Sequence, residues 1–193
     1  MKILDRAFFE RNTQIVAAEL IGKILVLNQG GSLVSGKIVE TEAYFGADDP
    51  ASHAFRGVTP RNRVMFGPAG VSYVYFTYGN HHCLNIVTET DGVAGAVLLR
   101  ALEPLSGLSL MKKRRGEKHP AAALTNGPGK LTQAFGITRD HSEIDMTQGP
   151  FFVAEKAEEG FVHVQTAKRI GISAAQHFPY RFYLKDNPFV SVQ

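Results

Sequence analysis

The sequence predicts an α+β domain, a curved and mostly antiparallel sheet with peripheral helices, and three observations carry that reading. Strand-like runs follow one another across short turns, and strands joined so closely can pair only antiparallel. The helix-like segments are short. With 19 glycines and 9 prolines the chain has turns in plenty, yet no shift in composition marks a boundary, so residues 1–193 read as one domain.

Taken in order, Asn12-Thr13 can cap a helix running to about Leu20, with Gly22 as its stop. Lys23 to Leu27 reads as a strand, and Gln29-Gly30-Gly31-Ser32 as a hairpin turn into a second one. That second strand contains Lys37-Ile38-Val39-Glu40-Thr41-Glu42-Ala43-Tyr44. Side chains alternate along a strand, so Glu40, Glu42 and Tyr44 share one face, while Val39, Thr41 and Ala43 take the other. Gly46 to Arg63 has little periodicity and reads as a long functional loop. A hairpin follows, Val71 to Thr77 and His82 to Thr88 around Tyr78-Gly79-Asn80, and then a strand from Ala96 to Leu102. Ser106 to Arg115 and Pro128 to Phe135 are predicted helices. Phe151 to Ala154, Arg181 to Leu184 and Phe189 to Val192 are predicted strands.

Composition narrows the function classes. Hydrophobic residues at 44% and charged residues at 20% are ordinary for a soluble globular protein. A net charge of +3 with a pI near 9.0 suits a polyanionic partner and is equally explained by solubility. One cysteine, Cys83, excludes an internal disulfide and fits a reducing compartment. Met1-Lys2-Ile3-Leu4 runs directly into charged Asp5 and Arg6, unlike a signal peptide, and no apolar run reaches membrane-spanning length. A cytoplasmic location is the expectation.

Chemistry concentrates in a few places. Arg100 interrupts the apolar run Ala96 to Leu102, so it lies either at an edge or buried with an anionic partner. Glu42 is the attractive partner, with Glu40 and Glu103 as competitors. A cation beside Glu42 would keep the carboxylate ionised, as a general base that takes a proton from water requires, although a plain buried ion pair has the same signature. The run Tyr73-Val74-Tyr75-Phe76-Thr77-Tyr78 puts aromatic rings on both faces of a hairpin, with Tyr78 projecting from its turn as a surface residue or as a wedge between bases. His53, in the long loop, reads as a polar ring in a pocket or as a solvated loop residue. A metal site of Asp48, Asp49 and His53 lacks tight ligand spacing, and no metal is expected. Asn126-Gly127-Pro128-Gly129-Lys130 is wrongly spaced for a nucleotide triphosphate loop, but Lys130 near a helix start suits one backbone phosphate. The cluster Lys112-Lys113-Arg114-Arg115 reads as a solvated helix end.

Several of these segments occur together and in a fixed order. They are Val39-Glu40-Thr41-Glu42-Ala43-Tyr44, His53, Thr59-Pro60-Arg61-Asn62, Tyr73 to Gly79, Cys83-Leu84-Asn85, Leu98 to Pro104, Gly127-Pro128, Lys130-Leu131, Arg169-Ile170-Gly171 and Arg181-Phe182-Tyr183. In this arrangement the chain resembles the alkyladenine (3-methyladenine) DNA glycosylase family from about Gly36 onward. The resemblance implies a single compact domain and a monofunctional base-excision enzyme without metal or cofactor, acting as a monomer on double-stranded DNA that carries damaged purines. By position it implies that Glu42 activates water, that Arg100 and the main-chain carbonyl of Ile170 help hold that water, and that Tyr44, His53 and Tyr75 sandwich the extruded base. Asn85 would line the pocket, Tyr78 would wedge into the duplex, and Arg61 and Lys130 would contact DNA. Against the mammalian members, no long N-terminal extension is expected, and the hairpin turn reads Asn80-His81-His82 in place of larger apolar residues.

Overall fold

The computed structural model describes residues 1–77, 79–155 and 163–192. Helices α1 (Arg6–Phe9) and α2 (Thr13–Glu19) open the chain, and the Asn12 side chain caps α2 by accepting from the Gln14 amide. Strands β1 (Ile24–Gln29), β2 (Ser32–Tyr44), β3 (Ser72–Thr77), β4 (His81–Val87) and β5 (Ala96–Ser106) follow, then helices α3 (Leu108–Arg115) and α4 (Pro128–Phe135). The short strands β6 (Phe151–Ala154), β7 (Val164–Ala167) and β8 (Arg181–Leu184) complete the sheet.

The strand order is β3-β4-β5-β2-β1-β6, with β8 joined to β2 and β7 to β8, and every pairing is antiparallel. The 13-residue strand β2 organises the fold. Along one edge it pairs with β5. Along the other it pairs first with β1, through Ser32 to Lys37, and then with β8, at Glu40 to Glu42. The changeover coincides with register shifts against β5 around Ile38, Glu40 and Thr41. Bulges of this kind bend a strand and re-aim its side chains, here at the two glutamates.

The main core lies under the sheet, where Ile38, Leu84, Ile86, Leu99 and Leu102 pack against Val16 from α2, Leu20 just after it, and Leu131 and Phe135 from α4. Burial of each such side chain stabilises the fold by about 1.5–3 kcal/mol. Gly36 sits in this layer, and a Cβ there would come 3.1 Å from the Leu102 Cβ. A second cluster, with Met65, Tyr73 and Val87, supports the long loop.

The strand expected at Phe189 to Val192 does not form. The Ser191 amide donates instead to the Glu40 carboxylate, at 2.8 Å, so a side chain takes the place of a neighbouring strand. Strand β2 is interior to the sheet, and Glu40 and Glu42 are both 0% exposed.

Candidate active site

A cavity of about 430 Å³ opens above the C-terminal end of β2. Its lining includes Tyr44, His53, Tyr73, Tyr75, Asn85 and Arg100, together with Pro128 at the start of α4 and Ile170 to Ala174. Volume and polarity suit a flat heterocycle held by a few polar groups. Glu42 is not part of the lining. It lies just beneath, and each of the three groups bound to it belongs to a lining residue.

Glu42 Oε1 accepts from the Ile170 amide at 2.7 Å, and its Oε2 accepts from the Tyr44 hydroxyl at 2.8 Å. Arg100 Nη1 stands 3.3 Å from Oε2, the longest of the three contacts. Arg100 is divided between two acids, since its Nε also donates to Glu40 Oε1 at 3.2 Å. The third candidate partner, Glu103, pairs with Lys37 instead. Burial pushes the Glu42 carboxyl above the usual range, against the pull of Arg100, the Ile170 amide and the Tyr44 hydroxyl. Arg100 thus acts as expected, favouring the ionised carboxylate, but burial is the larger influence. Tyr44 has its own pKa raised, by burial and then by Glu42, so its hydroxyl keeps its proton and donates.

A second arginine fixes the surroundings. Arg169 donates from both terminal nitrogens to Asp49, at 2.6 and 2.7 Å, and to the Ala43 carbonyl at 2.9 Å. Its guanidinium lies 4.6 Å from the Tyr44 ring centroid. The arrangement holds the chain just before Ile170 and backs one wall of the cavity. Gly171, at φ +74°, then turns the backbone along the cavity in a conformation that favours glycine. Asp49 thus commits both carboxylate oxygens to Arg169.

Another part of the lining is aromatic. His53 and Tyr75 meet edge to face at 4.6 Å, and His53 Nδ1 lies 3.1 Å from the Tyr73 hydroxyl. Burial and the nearby Arg61 lower the His53 pKa, so the ring is neutral at neutral pH. The loop carrying it is pinned by buried Asn62, whose Nδ2 donates to the His53 and Gly57 carbonyls while its Oδ1 accepts from the Thr59 amide. Asn85 lines the cavity as expected and also donates to the Tyr73 carbonyl at 3.1 Å, so it both shapes the pocket and satisfies the hairpin. Arg61 is exposed, with its guanidinium 5.7 Å from the Tyr75 ring centroid. Lys130 is exposed in the first turn of α4, where its Nζ meets Asn126 Oδ1 at 2.9 Å. Tyr78 lies outside the described residues.

The fold therefore gathers Glu42, Arg100, Ile170, Tyr44, His53, Tyr75 and Asn85 at one cavity, with Arg61 nearby and Lys130 two residues from the lining residue Pro128. Sequence reasoning missed the Asp49–Arg169 clamp, Asn62 and the pairing of Glu40 with Arg181. Asn62, Arg169, Glu40 and Arg181 all fall within the motif segments, but sequence alone did not show what they pair with. Residues 7–188 match the family model for methylpurine-DNA glycosylase. A protein of Methanoculleus marisnigri named "Putative 3-methyladenine DNA glycosylase" is 50% identical over 192 residues, covering 97% of this chain and 98% of the relative. Its namesakes from Carboxydothermus hydrogenoformans and Chlorobium phaeobacteroides are each 49% identical, covering 98% and 96% of their own lengths and 98% and 99% of this chain. The chain belongs to the methylpurine-DNA glycosylase family, hydrolases that cut the N-glycosidic bond of damaged bases in DNA.

Proposed function

We propose that this glycosylase takes an alkylated or deaminated purine, flipped from duplex DNA, into the 430 Å³ cavity and releases it by attack of a water activated by Glu42. The observation that carries the reading is a fully buried carboxylate whose three hydrogen-bonding or ionic partners all line the cavity. The 3.3 Å Arg100–Glu42 contact is the loosest of the three, and the water enters there, bridging the two side chains near the Ile170 backbone. Its oxygen bonds to the sugar's anomeric carbon as the carbon–nitrogen bond breaks. The bonding pair leaves with the base, and the proton passes to Glu42. A carboxylate with a raised pKa is a better proton acceptor than an ordinary one.

Tyr44 forms one face of the base slot, with the His53–Tyr75 pair opposite. Neutral His53 matters here, because an imidazolium would repel a cationic methylpurine, whereas tyrosine faces attract it. Arg61 and Lys130 grip backbone phosphates around the mouth, and Tyr78 fills the gap left in the duplex. The enzyme acts as a monomer.

The test is incubation with duplexes each carrying one lesion, 3-methyladenine, 7-methylguanine or hypoxanthine, followed by hot alkali. Strand breaks at the lesion are expected, undiminished by chelator and without any borohydride-trapped adduct. Chelator-sensitive cleavage would point to a metal hydrolase, and a trapped adduct to an amine nucleophile.

A further inference from the structure

Glu40 sits two residues before Glu42 and is equally buried, yet it does not line the cavity. It is crowded with donors. Its Oε1 accepts from Arg100 Nε at 3.2 Å, from Arg181 Nη1 at 2.8 Å and from the Ser191 hydroxyl at 2.9 Å, while Oε2 accepts from the Ser191 amide at 2.8 Å. The same Arg181 nitrogen donates to the Val192 carbonyl at 2.8 Å, which ties the chain's last described residues to this carboxylate. Around the bulge in β2, Glu40 and Glu42 reach different nitrogens of one guanidinium.

The consequence is geometric. Arg100 has a planar, rigid fork of donors. With Nε donating to Glu40, the guanidinium is held in an orientation that offers Glu42 a single nitrogen at 3.3 Å. We infer that Glu40 is a positioning residue of the reaction, holding Arg100 side-on so that Glu42 keeps a loose cationic contact that water can enter, and that Ser191 is the latch that holds Glu40. This inference rests on the reading of Glu42 as the base.

The charge count points the same way. Glu40, Glu42, Arg100 and Arg181 form two acids and two bases within one connected set. Without Glu40, Glu42 would be the one acid left in this set. Arg100 would close on it bidentately, and the carboxylate would become a weaker proton acceptor. Glu40 as a neighbouring anion also helps to raise the Glu42 pKa, behind the larger effect of burial.

The test is the single-turnover rate of base release from a lesion duplex, measured across pH for the parent, Glu40→Gln and Ser191→Ala. Glu40→Gln should slow release by about tenfold or more, as expected from the loss of one charge-assisted hydrogen bond. The acid limb of its pH profile should move to lower pH, and lesion-DNA affinity should stay unchanged. Ser191→Ala should shift the limb in the same direction by less. It keeps the test decisive if Glu40→Gln does not fold, because Ser191 is only half-buried. A slower rate with an unmoved acid limb in either variant would make Glu40 purely structural and overturn the inference. Failure of the underlying reading is separate: Glu42→Gln would retain turnover, whatever Glu40→Gln does.

Discussion

Two arginine–carboxylate contacts flank the cavity, and they are built differently. Arg169 and Asp49 meet in a closed bidentate pair at 2.6 and 2.7 Å, with both side chains at most 1% exposed. Arg100 and Glu42 meet at one point, 3.3 Å apart, with Arg100 shared with a second acid and Glu42 shared among three donors. The first pair has satisfied its acid and leaves no place for water. The second is looser, asymmetric and roofed by a cavity. A carboxylate that must take a proton cannot be held by a matched fork of donors, so the closed contact suits scaffolding and the split contact suits chemistry.

Four substitutions test that contrast. Glu42→Gln should reduce base release by about 10²–10⁴-fold, the range lost with a general base, while binding of lesion DNA persists. Its stability should nonetheless stay within about 1 kcal/mol of the parent. A carboxyl with a raised folded pKa holds its proton more tightly than the unfolded chain does, so it stabilises the fold in acid and loses that contribution as pH rises through the folded value. Arg100, meanwhile, retains Glu40.

Asp49→Asn should behave in the opposite way. It strands a buried guanidinium and should cost about 3–5 kcal/mol in chemical denaturation, because among the described residues Asp49 is the only acid paired with Arg169. If the two acid-to-amide changes destabilise equally, the contrast fails. Tyr44→Phe removes one donor from Glu42 and should move the acid limb of activity up by about one pH unit, with a matching loss of rate below it. Lys130→Ala should have the smallest effect, a uniform weakening of DNA binding with the salt-dependence slope lower by about 1 and release from bound complex unchanged.

Much of the fold was legible because it is local. Alternation along β2, the Gly30-Gly31 turn and the proline at the start of α4 are short-range signals, and the sheet, the hairpins and α4 follow from them. The cavity residues were legible through motif resemblance rather than through periodicity, since Glu42 and His53 are unremarkable by local pattern alone. The contacts that decide the electrostatics were not. Arg169 is 120 residues from Asp49, and Ser191 is 151 residues from Glu40, distances across which sequence pattern carries no pairing information. Phe189 to Val192 looked like a strand because three of its four residues are apolar, but its backbone is used to bind a carboxylate. The short strand β7 and helix α1 were missed for lack of any strong periodic run.

The most direct measurement of the central claim is the pH dependence of single-turnover base release for the parent and for Glu42→Gln. Glu42 must be deprotonated to accept water's proton, and burial raises its pKa, so activity should rise with pH through a midpoint above the ordinary glutamate value of about 4.3. The residual activity of Glu42→Gln should lack that limb. A profile flat across acid pH, or an acid limb that survives in Glu42→Gln, would contradict the assignment of Glu42 as the base.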